Sequence, residues 1–358
     1  MFDVKAHLKT LTETHAPSGH EAPIREVLRF EWADIVDTME TDKLGSLIGI
    51  KRATHPVDPP RKIMLAAHMD EIGLMVRQIV DGFIFVHRIS GVDNRIMPAM
   101  PVIVHGRRAL PGIVATTPPH LLNGAQNRYL TFDELVIDVG LPAAEVNELV
   151  RLGDLITPDA PMIELQGNKV AGKAMDDRAC VAAVTACLHE LQNLHHRWDV
   201  YATATVQEET GLIGAMTAAY HIKPDIAIAL DVTFAPQPGV DVDNTREMNG
   251  GPALGVGANF HPGLNEKIRE TARRAEIKMQ EEIVPAGSGT DAWSIQVALQ
   301  GIPTALFSIP IRNMHSPVET VDLRDITRTG RLMAQFIADL DADFLSAIEW
   351  SDLKVDAT

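Results

Sequence analysis

Four short, largely apolar runs constrain this chain more than anything else in it: Ile63–Ala67, Tyr201–Val206, Ile226–Leu230 and Thr304–Ile309. They lack the strict apolar–polar alternation of a half-wet strand, so each reads as a strand buried on both faces. Helical patterns lie between them: DDRACVAAVTACLHELQNL from 176, TGLIGAMTAAYHI from 210, LNEKIRETARRAEI from 264 and DAWSIQVALQ from 291. Buried strands alternating with helices specify the α/β class, here an α/β/α sandwich around a mixed, mostly parallel sheet.

The alternation is interrupted once. From Glu71 to Glu164 the texture becomes short strands (GLMVRQIV, GFIFVHRI, VIVHG, GIVAT, LVIDV) punctuated by Gly and Pro. Close strands with turn signals indicate an inserted β-barrel or sandwich. Within it, PPHLLNGAQNRYLTFDE (118–134) has no period and reads as a long mobile loop. The catalytic domain is therefore expected to be discontinuous, 1–70 plus 165–358, around a β-rich insert at 71–164. At the N-terminus, Val4–Thr14 and Glu21–Ile35 have helical spacing, broken by Pro17-Ser18-Gly19, with Ser18 or His20 placed to begin the second helix. One closing helix is expected over 327–348.

Charge excludes several functions. Lys plus Arg total 32 against 48 Asp plus Glu, a formal charge of −16, with no basic run interleaved with aromatics. Nucleic acid and anionic membrane both need clustered basic charge. No stretch approaches the roughly 20 apolar residues of a membrane span, and Met1–Pro17 lacks the pattern of a signal peptide. Cys180 and Cys187 sit seven apart on one predicted helix, roughly 10 Å between Cα atoms, too far for a disulfide. Reduced core thiols and a cytoplasmic location are expected.

Chemistry gathers where the buried strands end. His68 follows one run, Glu208-Glu209 another, Asp231 a third and His315 the last, while Asp176 stands at the entrance to a small-residue helix. Ligand sites in open α/β sheets collect at the carboxyl ends of strands. Two histidines with three carboxylates match the donor set of zinc, or of cobalt or manganese. Two divalent ions about 3.5–4 Å apart hold a bridging hydroxide and polarise a carbonyl, and Asp176 is positioned to bridge them. Asp70, two residues beyond His68 on an extended chain, points the same way and suits the second imidazole nitrogen of His68. Of the adjacent glutamates, Glu209 is assigned to metal and Glu208 as general base. Singly, each has a plainer use, such as the Asp-Asp pair as a helix cap; those plainer uses must all hold together to remove the site. Gly287-Ser288-Gly289 is not a G-x-S-x-G nucleophile elbow, because Thr290-Asp291 follows; its expected role is a loop whose Asp291 caps the next helix. Cys180 reads as an inert thiol.

These segments carry a resemblance. Ala16-Pro17-Ser18-Gly19-His20-Glu21, AAHMDEIGLMV (66–76), AGKAMDDR (171–178), VQEETGLIGA (206–215), ALDVT (229–233), GSGTDAW (287–293) and IPIRNMHSPVET (309–320) are similar, in order, to the tetrahedral, glutamyl-aminopeptidase-like di-metal exopeptidases. PPHL (118–121) and ELVIDVG (134–140) resemble that family's inserted domain. The resemblance implies one ion on His68 and Asp231, another on Glu209 and His315, Asp176 bridging, Glu208 as base and Asp70 as partner of His68. It further implies a PDZ-like barrel that makes dimers, assembling into tetrahedral dodecamers. Cys180 stands where the family often has Gly, and Ile213 replaces a frequent Arg; neither is a proposed ligand. The reading is a cytoplasmic aminopeptidase acting on short peptides. The alternatives are a deacylase or carboxypeptidase on the same site, or an endoglucanase, for which 5% aromatics provides no sugar platform.

Overall fold

A computed structural model describes residues 2–118 and 129–349. Two helices open the chain, α1 (Val4–Glu13) and α2 (Ala22–Trp32), followed by the strands β1 (Thr38–Thr41), β2 (Leu47–Lys51) and β3 (Lys62–His68). The next strands are β4 (Gly73–Val80), β5 (Phe83–Ile89), β6 (Pro101–His105), β7 (Ala109–Thr116) and β8 (Leu135–Asp138), then α3 (Ala143–Leu149) and β9 (Leu155–Pro158). After them come β10 (Ile163–Glu164), β11 (Lys169–Gly172), α4 (Met175–Leu191), β12 (Asp199–Thr205), α5 (Ile213–Ile222) and β13 (Ile226–Phe234). The remainder is β14 (Ala253–Val256), α6 (Pro262–Arg274), β15 (Gln280–Ile283), α7 (Asp291–Gln296), β16 (Thr304–Arg312), β17 (Glu319–Asp322), α8 (Leu323–Asp339) and α9 (Phe344–Ala347).

One sheet runs β1-β2-β12-β3-β13-β16-β17-β11-β10, with β14 added beside β16 and β15 beside β14. Its centre, β12-β3-β13-β16, is parallel, and its flanks are antiparallel. The central strands are apolar on both faces because both are covered. Leu65, Ala67, Ile228 and Leu230 share a core with Val184 and Leu188 of α4 and with Met333 and Phe336 of α8. Met64, Ala66, Ala227 and Ala229 meet Ala215 and Ala219 of α5 and Ile295 of α7 on the other side. Small alanines there allow α5 to lie close to the sheet, whereas branched and aromatic residues fill the deeper layer. The α/β/α sandwich expected from the alternation is what folds.

The interrupted stretch closes into a six-stranded antiparallel barrel, β4-β5-β8-β7-β6-β9. Alternate residues such as Val76, Ile84, Val102, Val104, Val114 and Ile137 point inward and pack together. The strand that sequence reading missed, β9, pairs with both β4 and β6 and so completes closure. Four residues ending in proline carry too little period to be recognised.

Other expectations are corrected. The second helix is preceded at its N-cap by Glu21 with no side-chain cap, and takes Pro in its first turn. Ser18 instead donates to Asp70. The closing helix is two: α8 stops at Asp339, and Leu340, extended and buried, turns the chain. That turn sets Phe344 edge-on against Trp198 and Phe336, with centroids 5.8 and 5.7 Å away. The Trp198 indole N–H reaches the Asp341 carbonyl at 2.9 Å. All of PPHL but Pro118, and the greater part of the long loop, lie outside the described residues, and the loop's described C-terminal end forms a single 3-10 turn, Phe132–Glu134. Among the described residues no helix is long and apolar enough to cross a membrane.

Candidate metal centre

Parallel strands bring their carboxyl ends to one edge, and the polar residues lie there. His68 is the last residue of β3 and pairs with Thr205, the last of β12. Gln207, at a positive φ of 57°, then turns the chain so that Glu208 and Glu209 fall in the loop before α5. Asp231 lies within β13 beyond Ala229, where pairing with β3 stops. His315 sits in the turn between β16 and β17, itself at φ 60°. Asp176 and Asp177 stand at the start of α4 but depart from helical φ/ψ, and the peptide bond between them is cis.

Asp176 stands between the two histidines. Its Oδ1 is 3.1 Å from His68 Nε2 and its Oδ2 is 3.2 Å from His315 Nε2. Two donor groups result, His68–Asp176–Asp231 and Asp176–Glu209–His315, each with ligand atoms within 4.8 Å of one another. His315 Nε2 lies 3.6 Å from Glu209 Oε1, and His68 Nε2 lies 3.7 Å from Glu208 Oε2. Asp70 Oδ1 faces His68 Nδ1 at 3.4 Å, an ion-pair contact without hydrogen-bond alignment. The same carboxylate accepts the backbone N–H groups of Glu208 and Glu209 and the Ser18 hydroxyl. The structure thus brings all seven sequence-predicted residues to one place.

Residues beyond those seven complete the surroundings; Glu319 and Glu71 have no role in the sequence reading, whereas Asp177 and Arg178 are expected in supporting or capping duty. Glu319 accepts the N–H of Asp176 through Oε2 at 3.1 Å and that of His315 through Oε1 at 2.6 Å, joining the bridging aspartate to the last histidine. Glu71 accepts from Lys173 at 2.7 Å, Arg178 at 3.3 Å and the Ala16 N–H at 2.8 Å, gripping both sides of the Asp176 segment. Asp177 takes the His68 N–H at 3.1 Å, and Cys180 donates to the Asp231 carbonyl at 3.0 Å. Asp291 is not a helix cap. Thr290 caps α7, while Asp291 is buried and accepts the Thr205 hydroxyl. The one legible signal was nearness in sequence, Glu71 directly after Asp70 and Glu319 four residues after His315; a carboxylate inside a polar segment otherwise resembles any surface acid.

The electrostatics show what the donors lack. Asp70, Asp176, Asp177, Glu208, Asp231, Asp291 and Glu319 are all buried around two imidazoles. Burial would raise the Asp176 carboxyl, but hydrogen bonds from His315 and His68 drive it well below its ordinary value. Burial would raise Asp70 too, but contacts with His68 and the Ser18 hydroxyl outweigh it and lower that carboxyl. The rest go the opposite way. Burial, reinforced by Asp231, Asp291 and Asp176 against the opposing charge of His68, pushes Glu208 up to about 11. Burial and the charge of Asp176 push Glu209 to about 7. Burial and Asp176 likewise hold Asp231 far above the carboxylate range. Crowded carboxyls cannot all ionise without added positive charge. In addition, Glu209 Oε1 is buried with no hydrogen-bond partner among the described residues, a costly arrangement for an acceptor left alone. A divalent cation in each donor group answers both deficits, so the residues present fit a pair of oxygen- and nitrogen-loving ions.

Comparison with known proteins then bears on the chemistry. The sequence profile of the M42 glutamyl aminopeptidases matches residues 45–332. The chain belongs to the M42 glutamyl aminopeptidase family. It is 36% identical over 342 residues to a lysyl aminopeptidase of Pyrococcus furiosus, covering 93% of this chain and 96% of that one. The structure of an aminopeptidase from the archaeon Desulfurococcus kamchatkensis superposes with a TM-score of 0.89 at 35% identity, covering 98% of this chain and 99% of that one. A TET1 peptidase of Pyrococcus horikoshii, described as assembling into a tetrahedron or a large octahedral shell, gives 0.83 at 29% identity, covering 94% and 100%. As an M42 family member the chain is a peptide-hydrolysing enzyme of the aminopeptidase type.

Proposed function

We propose that the protein is a two-metal aminopeptidase that removes N-terminal residues from short peptides. The observation that carries the reading is that the two donor groups share one residue, Asp176. His68 and Asp231 would hold one ion, Glu209 and His315 the other, with zinc favoured by the donor set and cobalt or manganese compatible. When bound, such a pair polarises the scissile carbonyl and acidifies the attacking water.

The chain's own residues do the rest. Glu208 lies 3.7 Å from His68 yet belongs to neither donor group, which leaves it to work as a base beside them. Glu208, whose carboxyl would ionise once the site held added positive charge, is the residue to take the proton of the attacking water and return it to the leaving amine. Asp70 orients His68 and, through the N–H groups of Glu208 and Glu209, fixes the base relative to the ligands. Residues 1–70 and 165–358 serve as catalytic domain and 71–164 as the dimerisation insert. The assembling relatives support a homo-oligomer, with a dodecamer as the expected form. The two unbridged, buried thiols favour a reducing compartment such as the cytoplasm.

A panel of aminoacyl-p-nitroanilides beside N-acylated amino acids, assayed after chelation and after Zn²⁺ or Co²⁺ add-back, tests this. Metal-dependent release from free-amine substrates is expected. Cleavage confined to the N-acylated compounds would make the enzyme a deacylase, and full activity in the stripped protein would remove the metal mechanism.

A further inference from the structure

The barrel's only described hydroxyl contact with the donor groups comes from the corner just after β5. Ser90 follows Ile89 at a positive φ of 62°, a conformation few non-glycine residues adopt. From there its Oγ donates to Glu209 Oε2 at 2.7 Å. That leaves Oε1, the oxygen with no hydrogen-bond partner, as the one turned to His315. The next residue presses on the other member of the same group. A Cβ added at Gly91 would lie 2.3 Å from His315 Nδ1 and 2.8 Å from Cε1, so the imidazole is seated directly against the glycine. Two consecutive barrel residues therefore hold two consecutive needs of one donor group: the carboxylate's rotation and the ring's position.

Among the described residues the other donor group receives nothing comparable from the barrel. The His68 backbone N–H is taken by Asp177, that of Asp176 by Glu319, and the Asp231 carboxylate accepts the Val232 N–H at 2.8 Å. All of these partners belong to the sheet and its helices. We propose that the Ser90–Gly91 corner of the barrel is a positioning element of the Glu209–His315 half-site, setting the affinity of the second ion while leaving the first alone. The barrel then has a part in the metal centre as well as in assembly, and a displacement of about 1 Å at this corner is enough to break a hydrogen bond.

This rests on the two-ion reading above, and the test separates the two. The full chain, stripped by chelator, is titrated with Zn²⁺ by calorimetry against a competing chelator, for wild type, Ser90→Ala, Gly91→Ala and a control at the exposed barrel residue Arg108. Loss of a residue that orients a metal ligand costs about 10–100-fold in affinity. Ser90→Ala is expected to weaken the second binding step about tenfold and Gly91→Ala about a hundredfold, with the first step and the Arg108→Ala isotherm unchanged. The melting temperature of metal-free Ser90→Ala should match wild type, so that variant decides even if Gly91→Ala folds poorly. Equal weakening of both steps, or an unchanged second step in Ser90→Ala, overturns the proposal alone. A wild-type protein that binds a single Zn²⁺ overturns the two-ion reading and this inference with it.

Discussion

The two donor groups are chemically alike and mechanically different. His68 and Asp231 lie on the central strands β3 and β13, and the His68 side chain is 2% exposed. Glu209 and His315 lie in loops, and the His315 side chain is 34% exposed. An apolar cavity walled by Leu74, Ile96 and Pro317 opens onto Asp176, Glu209 and His315 but not onto His68 or Asp231. Donors on strand ends inherit the rigidity of the sheet, whereas donors on loops need to be held from outside and are free to adjust. The difference teaches that, in the proposed two-ion centre, one half is built for retention and the other for access.

The largest effect should come from the residue common to both. Asp176→Asn is expected to lose both ions and to cut kcat/KM by about a thousandfold or more; elemental analysis showing one ion retained would break the bridge assignment. Glu208→Gln should lower turnover about 10²–10⁴-fold while both ions stay, and near-normal turnover would dismiss it as base. His315→Ala should release the second ion and keep the first, with His68→Ala doing the reverse and also lowering the melting temperature. If either variant empties both sites equally, the asymmetry is false. Asp177→Asn should be mild, about tenfold or less in ion affinity, because an amide oxygen can still accept the His68 N–H. A loss as large as that of Asp176→Asn would show Asp177 to be a ligand.

The smallest effect on the ions should come from His7, which sharpens the comparison by separating fold stability from metal retention. Burial, then the charge of His189, lowers its pKa from 6.5 to about 4. The folded protein keeps it neutral while the unfolded chain protonates it, so its contribution is full above about pH 6.5 and is lost as pH falls toward 4. His7→Gln should flatten that acid loss by up to about 3 kcal/mol in denaturant titrations. Both Zn²⁺ isotherms should remain unchanged; a shift in either would tie the half-sites to the α1 packing.

What could be read in advance follows from the physics of each part. Strands buried on both faces advertise themselves as apolar runs, and the residue that ends such a run is conspicuous when it is His or Asp; His68 and Asp231 were visible for that reason. Asp176 was visible because an acid before a helix of small residues stands out. Glu319 was not, since its work is done on backbone N–H groups brought together from α4 and the β16–β17 turn. Ser90 was hidden because its partner, Glu209, is 119 residues away. Asp291 was misread because a Thr-Asp pair ahead of a helix offers two caps, and only packing against Thr205 decides which turns inward. The strand β9 needed its barrel partners to be recognised.

The strand order also dictates a timetable. β3 lies between β12 and β13, so on the ribosome the third strand of the sheet waits, unpaired, until residues 199–205 and then 226–234 have been made. The barrel, whose partners all fall between Gly73 and Pro158, needs no such delay, and units complete early in synthesis are free to fold first. The exposed apolar edge of β3 is thus left during translation beside an already finished barrel. His315 is the last of the proposed donors to emerge, so the proposed centre cannot be completed before that residue has been made.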